Sequence, residues 1–166
     1  MQCYNDDMLK GYFKPDDIKK RIHLIDLDDL VKKFDLIVLD VDNTLAVKGT
    51  VQIDVDTDRW LKALSEQGTH VLICSNNPTK AAKMIAERYH FDWLNLALKP
   101  FKFRFQRKLA QMNIVYQRGV WLGDQLFTDI WLGKRLGYYT IWIEPLSSDD
   151  YLSTRILRTI EKKVIG

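Results

Sequence analysis

A doubly wound α/β domain, a parallel sheet with helices on both faces, is the fold class this sequence predicts, and three observations predict it. Short apolar runs alternate with helix-like stretches along the chain. No repeat or low-complexity linker divides its 166 residues, a length that suits one domain with one sizeable core. The longest apolar runs, Leu36 to Leu39 and Val71 to Cys74, have the length of buried strands and fall far short of the roughly 18 residues a membrane span needs.

The elements follow in order. Residues 1–33 read as an extended or partly helical lead-in, with Asp26 able to cap a short helix through Lys33. The core, residues 34–146, opens on a strand from Leu36 to Asp40. A helix follows from Asp58 to Gln67, capped by Thr57 and stopped by Gly68, and then a strand from His70 to Cys74. Pro78 suits a first helical position with Asn77 as its cap. Trp93 to Ala97 is a short strand, and Lys102 to Met112 a helix with Phe105, Leu109 and Met112 at helical spacing. Gly119 to Leu122 is a strand. A helix from Asp129 to Leu136 ends at Gly137, and Thr140 to Ile143 is the last strand. Residues 147–166 form a final helix, capped by Ser147, Ser148 and Asp149.

Composition sets limits. Charged residues make up 28% and the net charge is +3, too small a surplus to call for nucleic acid by itself. Cys3 and Cys74 lack metal-type spacing, so neither a disulfide framework nor a zinc site is expected, and Cys74 reads as a buried thiol. His23, His70 and His90 are scattered and read as structural or exposed. The start, Met1 to Asp7, is acidic and has no apolar secretion segment, so the expected compartment is the cytoplasm.

Ligands of a doubly wound sheet bind beyond the carboxyl ends of its strands. The polar residues after each apolar run should therefore meet. They are Asp40, Asp42 and Thr44 after the first strand and Ser75, Asn76 and Asn77 after the second. Lys99 follows the third, and Asp124, Thr128 and Asp129 the fourth. Each signal alone is an ordinary turn, cap or loop lysine, but their ordered recurrence at four strand ends points to a site. Four carboxylates in one crevice repel by several kcal/mol per pair, about 4 kcal/mol at 4 Å and an effective dielectric near 20. A hard divalent cation with oxygen ligands, Mg²⁺, removes that cost and holds phosphate oxygens. Lys99 and Ser75 suit the remaining phosphate oxygens. In an extended segment Asp40 and Asp42 point the same way, so one can attack while the other serves the leaving group.

This ordered set resembles the haloacid dehalogenase (HAD) superfamily of phosphohydrolases. The run DLIVLDVDNTL from Asp35 to Leu45 is similar to its first motif, Ser75 to its second, Lys99 to its third and GDQLFTD from Gly123 to Asp129 to its acidic fourth. The likeness extends to the subfamily IIIA phosphatases of the YqeG branch. It there includes Phe13-Lys14-Pro15-Asp16, Ile25-Asp26, Ser75-Asn76-Asn77, Gly137 to Ile141, and Pro145 with Ser147 to Asp149, which is nearly the whole chain. The resemblance implies a Rossmann-like, HAD-type fold and a Mg²⁺-dependent phosphatase working through an aspartyl-phosphate. It implies Asp40 as nucleophile and Asp42 as acid and base. Phosphate would be held by Thr44, Ser75, Asn76 and Lys99, and metal by Asp40, the Asp42 backbone carbonyl, Asp124 and Asp129.

Many members of that superfamily carry a cap domain over the site. Here 35 positions separate Asp40 from Ser75 and 24 separate Ser75 from Lys99, so neither gap holds one. An open site suits a phosphate on something large, and the branch is similar to phosphatidylglycerophosphate phosphatases, which makes that anionic lipid the leading expectation. A small soluble phosphoester, or a non-catalytic binding protein on the same fold, remains the alternative. Two segments bear on the choice. Lys99 to Lys108 holds five positive charges interleaved with Phe101, Phe103 and Phe105, which reads either as a grip on anionic groups or as an ordinary helix start. In the last helix Leu152, Ile156, Ile160 and Val164 form a stripe flanked by Arg155, Arg158, Lys162 and Lys163, which either lies at a membrane surface or packs on its own domain. A phosphoaccepting receiver domain is disfavoured by motif order. Its acidic pair should follow the first strand and its phosphoacceptor the third, whereas here Asp-x-Asp-x-Thr comes first.

Overall fold

In the computed structural model, which describes residues 11, 13–112 and 118–147, six parallel strands form one sheet. They are β1 (Asp17–Lys19), β2 (Leu36–Leu39), β3 (His70–Cys74), β4 (Asp92–Leu94), β5 (Gly119–Gly123) and β6 (Tyr139–Ile143), arranged β1-β6-β5-β2-β3-β4. Five helices connect them: α1 (Leu27–Lys33), α2 (Val55–Ser65), α3 (Ala81–Tyr89), α4 (Phe103–Gln111) and α5 (Trp131–Arg135). The final helix expected over residues 147–166 lies outside the described residues from Ser148 onward.

The doubly wound reading holds, and strand alternation explains it. Side chains along a strand point to opposite faces. Ile37, Leu39, Val71, Ile73, Val120 and Leu122 face one way and pack on Leu30 of α1, Leu61 and Leu64 of α2 and Ile85 of α3. Leu36, Val38, Leu72, Cys74 and Trp121 face the other way and meet Phe105 of α4 and Leu132 of α5. Every residue of β2 and β5 is buried, as expected of central strands covered on both sides. Burying each such Leu or Ile stabilises the fold by about 1.5–3 kcal/mol. The stretches between β2 and β3 and between β3 and β4 hold one helix each, so no cap domain is inserted at either place.

Chain order decides where the site lies. From β2 the chain winds outward through β3 and β4, then returns to the other side of β2 to form β5 and β6. The order reverses between β2 and β5, and at such a switch point the connections part and leave a crevice at the strands' carboxyl ends.

Several boundaries differ from the sequence reading, each for a local reason. Asp54, not Thr57, caps α2, because its carboxylate takes the backbone N–H groups of both Asp56 and Thr57, while Thr57 is buried. Asn77 forms a turn with the N–H of Thr79 rather than a cap on Pro78, and α3 begins at Ala81. The strand expected over Trp93 to Ala97 is Asp92–Leu94, because Leu96 and Leu98 take positive φ values of 48° and 55° and leave the sheet. Asp26 caps α1 as expected, by accepting from the N–H of Asp29.

The lead-in supplies a strand that local pattern does not reveal. β1 pairs with β6 at the sheet edge. Asp16 anchors it, since its carboxylate accepts from Lys134 at 2.5 Å and from the N–H and hydroxyl of Thr140, each at 2.8 Å. Burial raises the Asp16 pKa, but these partners outweigh it and hold the carboxyl below its ordinary value. A depressed carboxylate stabilises the fold above its unfolded pKa and loses that contribution as pH falls through the folded one. Asp16→Ala is therefore expected to cost about 1–2 kcal/mol at neutral pH, discounted for solvent screening. In urea titrations that deficit should be constant from pH 7 to about 5 and vanish below the ordinary carboxylate range. A deficit independent of pH would show that Asp16 acts through packing alone.

Candidate active site

Asp40 follows β2 directly and is 4% exposed, with its N–H bonded to the carbonyl of Leu122 on β5 at 2.9 Å. It thus stands at the reversal point, fixed to both central strands. The chain then turns sharply. The carbonyl of Val41 accepts from the N–H groups of Thr44, Leu45 and Ala46, and Asn43 takes a left-handed φ of 61°, a conformation Asn tolerates better than most residues. This turn brings the hydroxyl of Thr44 back to Asp40 Oδ2 at 3.4 Å. Asp42 is half-buried on this turn, and its carboxylate accepts from the N–H of Gly49 at 3.2 Å.

Lys99 reaches the crevice from the loop after β4. Its Nζ donates to Asp40 Oδ1 at 2.5 Å, to Asp129 Oδ1 at 2.6 Å and to the carbonyl of Cys74 at 3.1 Å, all buried. The Asn76 amide clamps the Lys99 backbone, accepting from its N–H at 2.7 Å and donating to its carbonyl at 3.1 Å. Next to it, Ser75 is 2% exposed and its hydroxyl oxygen accepts from the N–H of Asn77 at 3.0 Å. Asn76 was expected to contact phosphate; in this structure its side chain is engaged in placing Lys99.

The acidic side comes from β5 and the turn after it. Asp124 and Asp129 are fully buried. Leu126–Ile130 is a π-helical turn in which the carbonyl of Gln125 accepts from the N–H groups of both Asp129 and Ile130. It replaces the first turn of the helix expected from Asp129 and lays that carboxylate against the strand end. Gly123 permits the approach, because a Cβ there would stand 2.6 Å from Asp129 Oδ2. Asp129 also accepts from Trp121 Nε1 at 3.3 Å and from the N–H of Gln125 at 3.2 Å. Phe13 packs on this turn, its ring 4.9 Å from that of Phe127 and 5.4 Å from that of Trp131.

One carboxylate oxygen from each of Asp40, Asp124 and Asp129 lies within 4.8 Å of the other two. The Lys99 ammonium contacts two of these three, Asp40 and Asp129. Burial works against the Lys99 charge, yet Asp129 and Asp40 outweigh it and raise its pKa, so it stays protonated. Burial pushes the Asp40 carboxyl up, with Lys99 pulling it back and Asp129 and Asp42 pushing it further. The three buried carboxyl groups offer oxygen donors close together, and an all-oxygen donor set fits Mg²⁺. The Cys74 thiol is pushed by burial up to about 12 and stays protonated at neutral pH.

The structure thus gathers Asp40, Thr44, Lys99 and Asp129 by direct contact, adds Asp124 through the carboxylate cluster, and places Asp42 and Ser75 on the adjoining turns. Sequence reasoning missed the residues that hold these in place. Asn43 accepts from the Ser147 hydroxyl at 2.9 Å and from the N–H of Lys48. Trp142 Nε1 donates to the Asp124 carbonyl at 2.7 Å. The glycine before Asp124 and the Asn inside the first motif were the only signals available for any of them.

Lys99→Met is expected to cost about 3–5 kcal/mol in urea denaturation, the range for stranding buried charges whose partner is removed. A cost below about 1 kcal/mol would mean that Lys99 is not their counter-ion.

Known proteins resemble this chain in sequence and in fold. A family model described as haloacid dehalogenase-like hydrolase matches residues 37–98. A Bacillus subtilis (strain 168) protein named probable phosphatase YqeG is 33% identical over 160 residues, covering 96% of this chain and 93% of that protein. The crystal structure of a hypothetical protein from Xanthomonas campestris superimposes with a TM-score of 0.51 at 18% identity, covering 80% of this chain and 78% of that one, a likeness of fold alone.

Proposed function

This chain belongs to the haloacid dehalogenase-like hydrolases, in the branch of the YqeG phosphatases, and we propose that it is a Mg²⁺-dependent phosphomonoesterase whose covalent nucleophile is Asp40. The observation that carries the proposal is the buried Asp40 carboxylate, which shares one ammonium with Asp129 at the sheet's reversal point.

An Asp40 oxygen attacks phosphorus while the bond from phosphorus to the substrate alkoxide breaks. Asp42 delivers a proton to that alkoxide. It then takes a proton from the water that attacks the aspartyl-phosphate, which frees inorganic phosphate and restores Asp40. Its half-buried position suits contact with both a leaving group and water. Thr44 and Ser75 supply hydroxyls to the phosphoryl oxygens. Lys99 neutralises charge that builds there, pre-placed by the Asn76 clamp so that no reorganisation is needed during reaction. Asp40, Asp124, Asp129 and the Asp42 backbone carbonyl would hold Mg²⁺, which when bound neutralises phosphate oxygens and orients them.

The uncapped crevice favours a phosphate displayed on a large carrier over a small substrate that needs enclosing. Phosphatidylglycerophosphate is the leading candidate, supported by the resemblance of the branch to phosphatases of that lipid. Mg²⁺-dependent phosphate release is measured from vesicles containing phosphatidylglycerophosphate, with a soluble aryl phosphate alongside. Asp40→Asn is expected to lower both rates by about 10³-fold or more, and EDTA to abolish them. Release from the aryl phosphate alone would discard the lipid and keep the phosphatase; an undiminished rate in Asp40→Asn would discard the nucleophile.

A further inference from the structure

The loop that delivers Lys99 carries a second feature that the hydrolytic chemistry does not use. Inside it, Ala97 and Lys99 turn inward at 1% and 6% exposure. Large apolar residues before, between and after them turn outward: Leu96 is 40% exposed, Leu98 44%, Phe101 61% and Phe103 57%. Leu96 and Leu98 both hold left-handed backbone angles, which are unfavourable for a branched apolar side chain and suit Gly or Asn. Four large apolar side chains thus stand outward among the described residues, two of them in a costly backbone conformation. Phe105 fills the core, so the ordinary helix-start reading of this segment covers only that one phenylalanine.

Charge on the same surface indicates the partner. No acidic residue occurs from Trp93 to Gly123. Lys102 and Arg107 are exposed and Arg104 half-buried, all within the stretch that bears Phe101 and Phe103. Arg135 braces the loop by donating to the Pro100 carbonyl at 3.1 Å. Lys108 of α4 is paired with Asp92 at 2.8 Å. Aliphatic and benzyl groups with no polar handle, interleaved with Lys102, Arg104 and Arg107, match the boundary between acyl chains and anionic headgroups. A nucleic acid would use the phenylalanines for stacking but has no use for the leucines. No helix among the described residues is long and apolar enough to cross a membrane, so such contact is with the surface.

We infer that Leu96, Leu98, Phe101 and Phe103, with Lys102, Arg104 and Arg107, form a docking surface for an anionic lipid bilayer at the rim of the active site. This rests on the proposed function only for its purpose, which is to bring the crevice to phosphates carried at that surface. The docking itself needs no catalysis. It assigns membrane contact to this loop and α4.

Flotation of the full-length chain with vesicles tests it. The vesicles are phosphatidylcholine with added phosphatidylglycerol, which has no phosphomonoester, at low salt. The expected results are binding that falls as salt rises and a loss of about tenfold or more in Phe101→Ser/Phe103→Ser. Turnover of a soluble aryl phosphate by that variant should be unchanged, which shows it is folded. Asp40→Asn should bind like the unaltered protein, so loss of the nucleophile assignment and loss of the docking surface are separable. Lack of binding to these vesicles at low salt, or equal binding by the phenylalanine variant, overturns the inference. So does binding to an acidic peptide or nucleic acid where vesicles fail.

Discussion

One ammonium shared between two buried carboxylates is the constraint around which this molecule is built. Lys99 Nζ stands 2.5 Å from Asp40 and 2.6 Å from Asp129, and Asp124 completes the acidic cluster. Charges so deep in a protein are costly unless they are paired and hydrogen-bonded. The fold meets that condition by converging three chain segments, the ends of β2 and β5 and the loop after β4, on one point. The same geometry underlies the proposed chemistry, in which the counter-ion of Asp40 would also meet the charge of a transferring phosphoryl group.

Much of the remaining structure serves this convergence from a distance. The Asn76 amide fixes the Lys99 backbone, and the carbonyl of Cys74 receives its ammonium. The absence of a side chain on Gly123 admits the Asp129 carboxylate, and the π-helical turn delivers it. Phe13 packs against that turn, while Asp16, three residues on, fastens β1 to β6 through Thr140 and to α5 through Lys134. The Phe13 to Asp16 run therefore braces the scaffold of the acidic motif without entering it.

What the sequence made legible is what local physics determines. The central strands are continuous apolar runs, and the carboxyl-end rule turns their order into a site, so Asp40, Lys99, Asp124 and Asp129 were identifiable together. Asp26 announced its helix because capping needs only neighbours three residues away. The three-residue β1 is too short to show a period, and the Asp16 bonds to Thr140 that anchor it span 124 positions, a separation no local pattern encodes. Thr57 lost the capping role to Asp54, three residues earlier, because tertiary burial claimed its side chain. Leu96 and Leu98 carry nothing in their identity that announces a left-handed backbone, so the outward turn of the Lys99 loop emerged only in three dimensions. Asn76 looked like a phosphate ligand by position and serves, in this structure, to place the lysine.

The claim that Asp40 forms a bond to phosphorus is tested most directly by acid quench during turnover of a phosphomonoester, followed by peptide mapping. The account predicts one added phosphoryl group on the peptide containing Asp40, labile to hydroxylamine and absent in Asp40→Asn. Turnover at full rate with no phosphopeptide, or with the phosphoryl group on another residue, would contradict it.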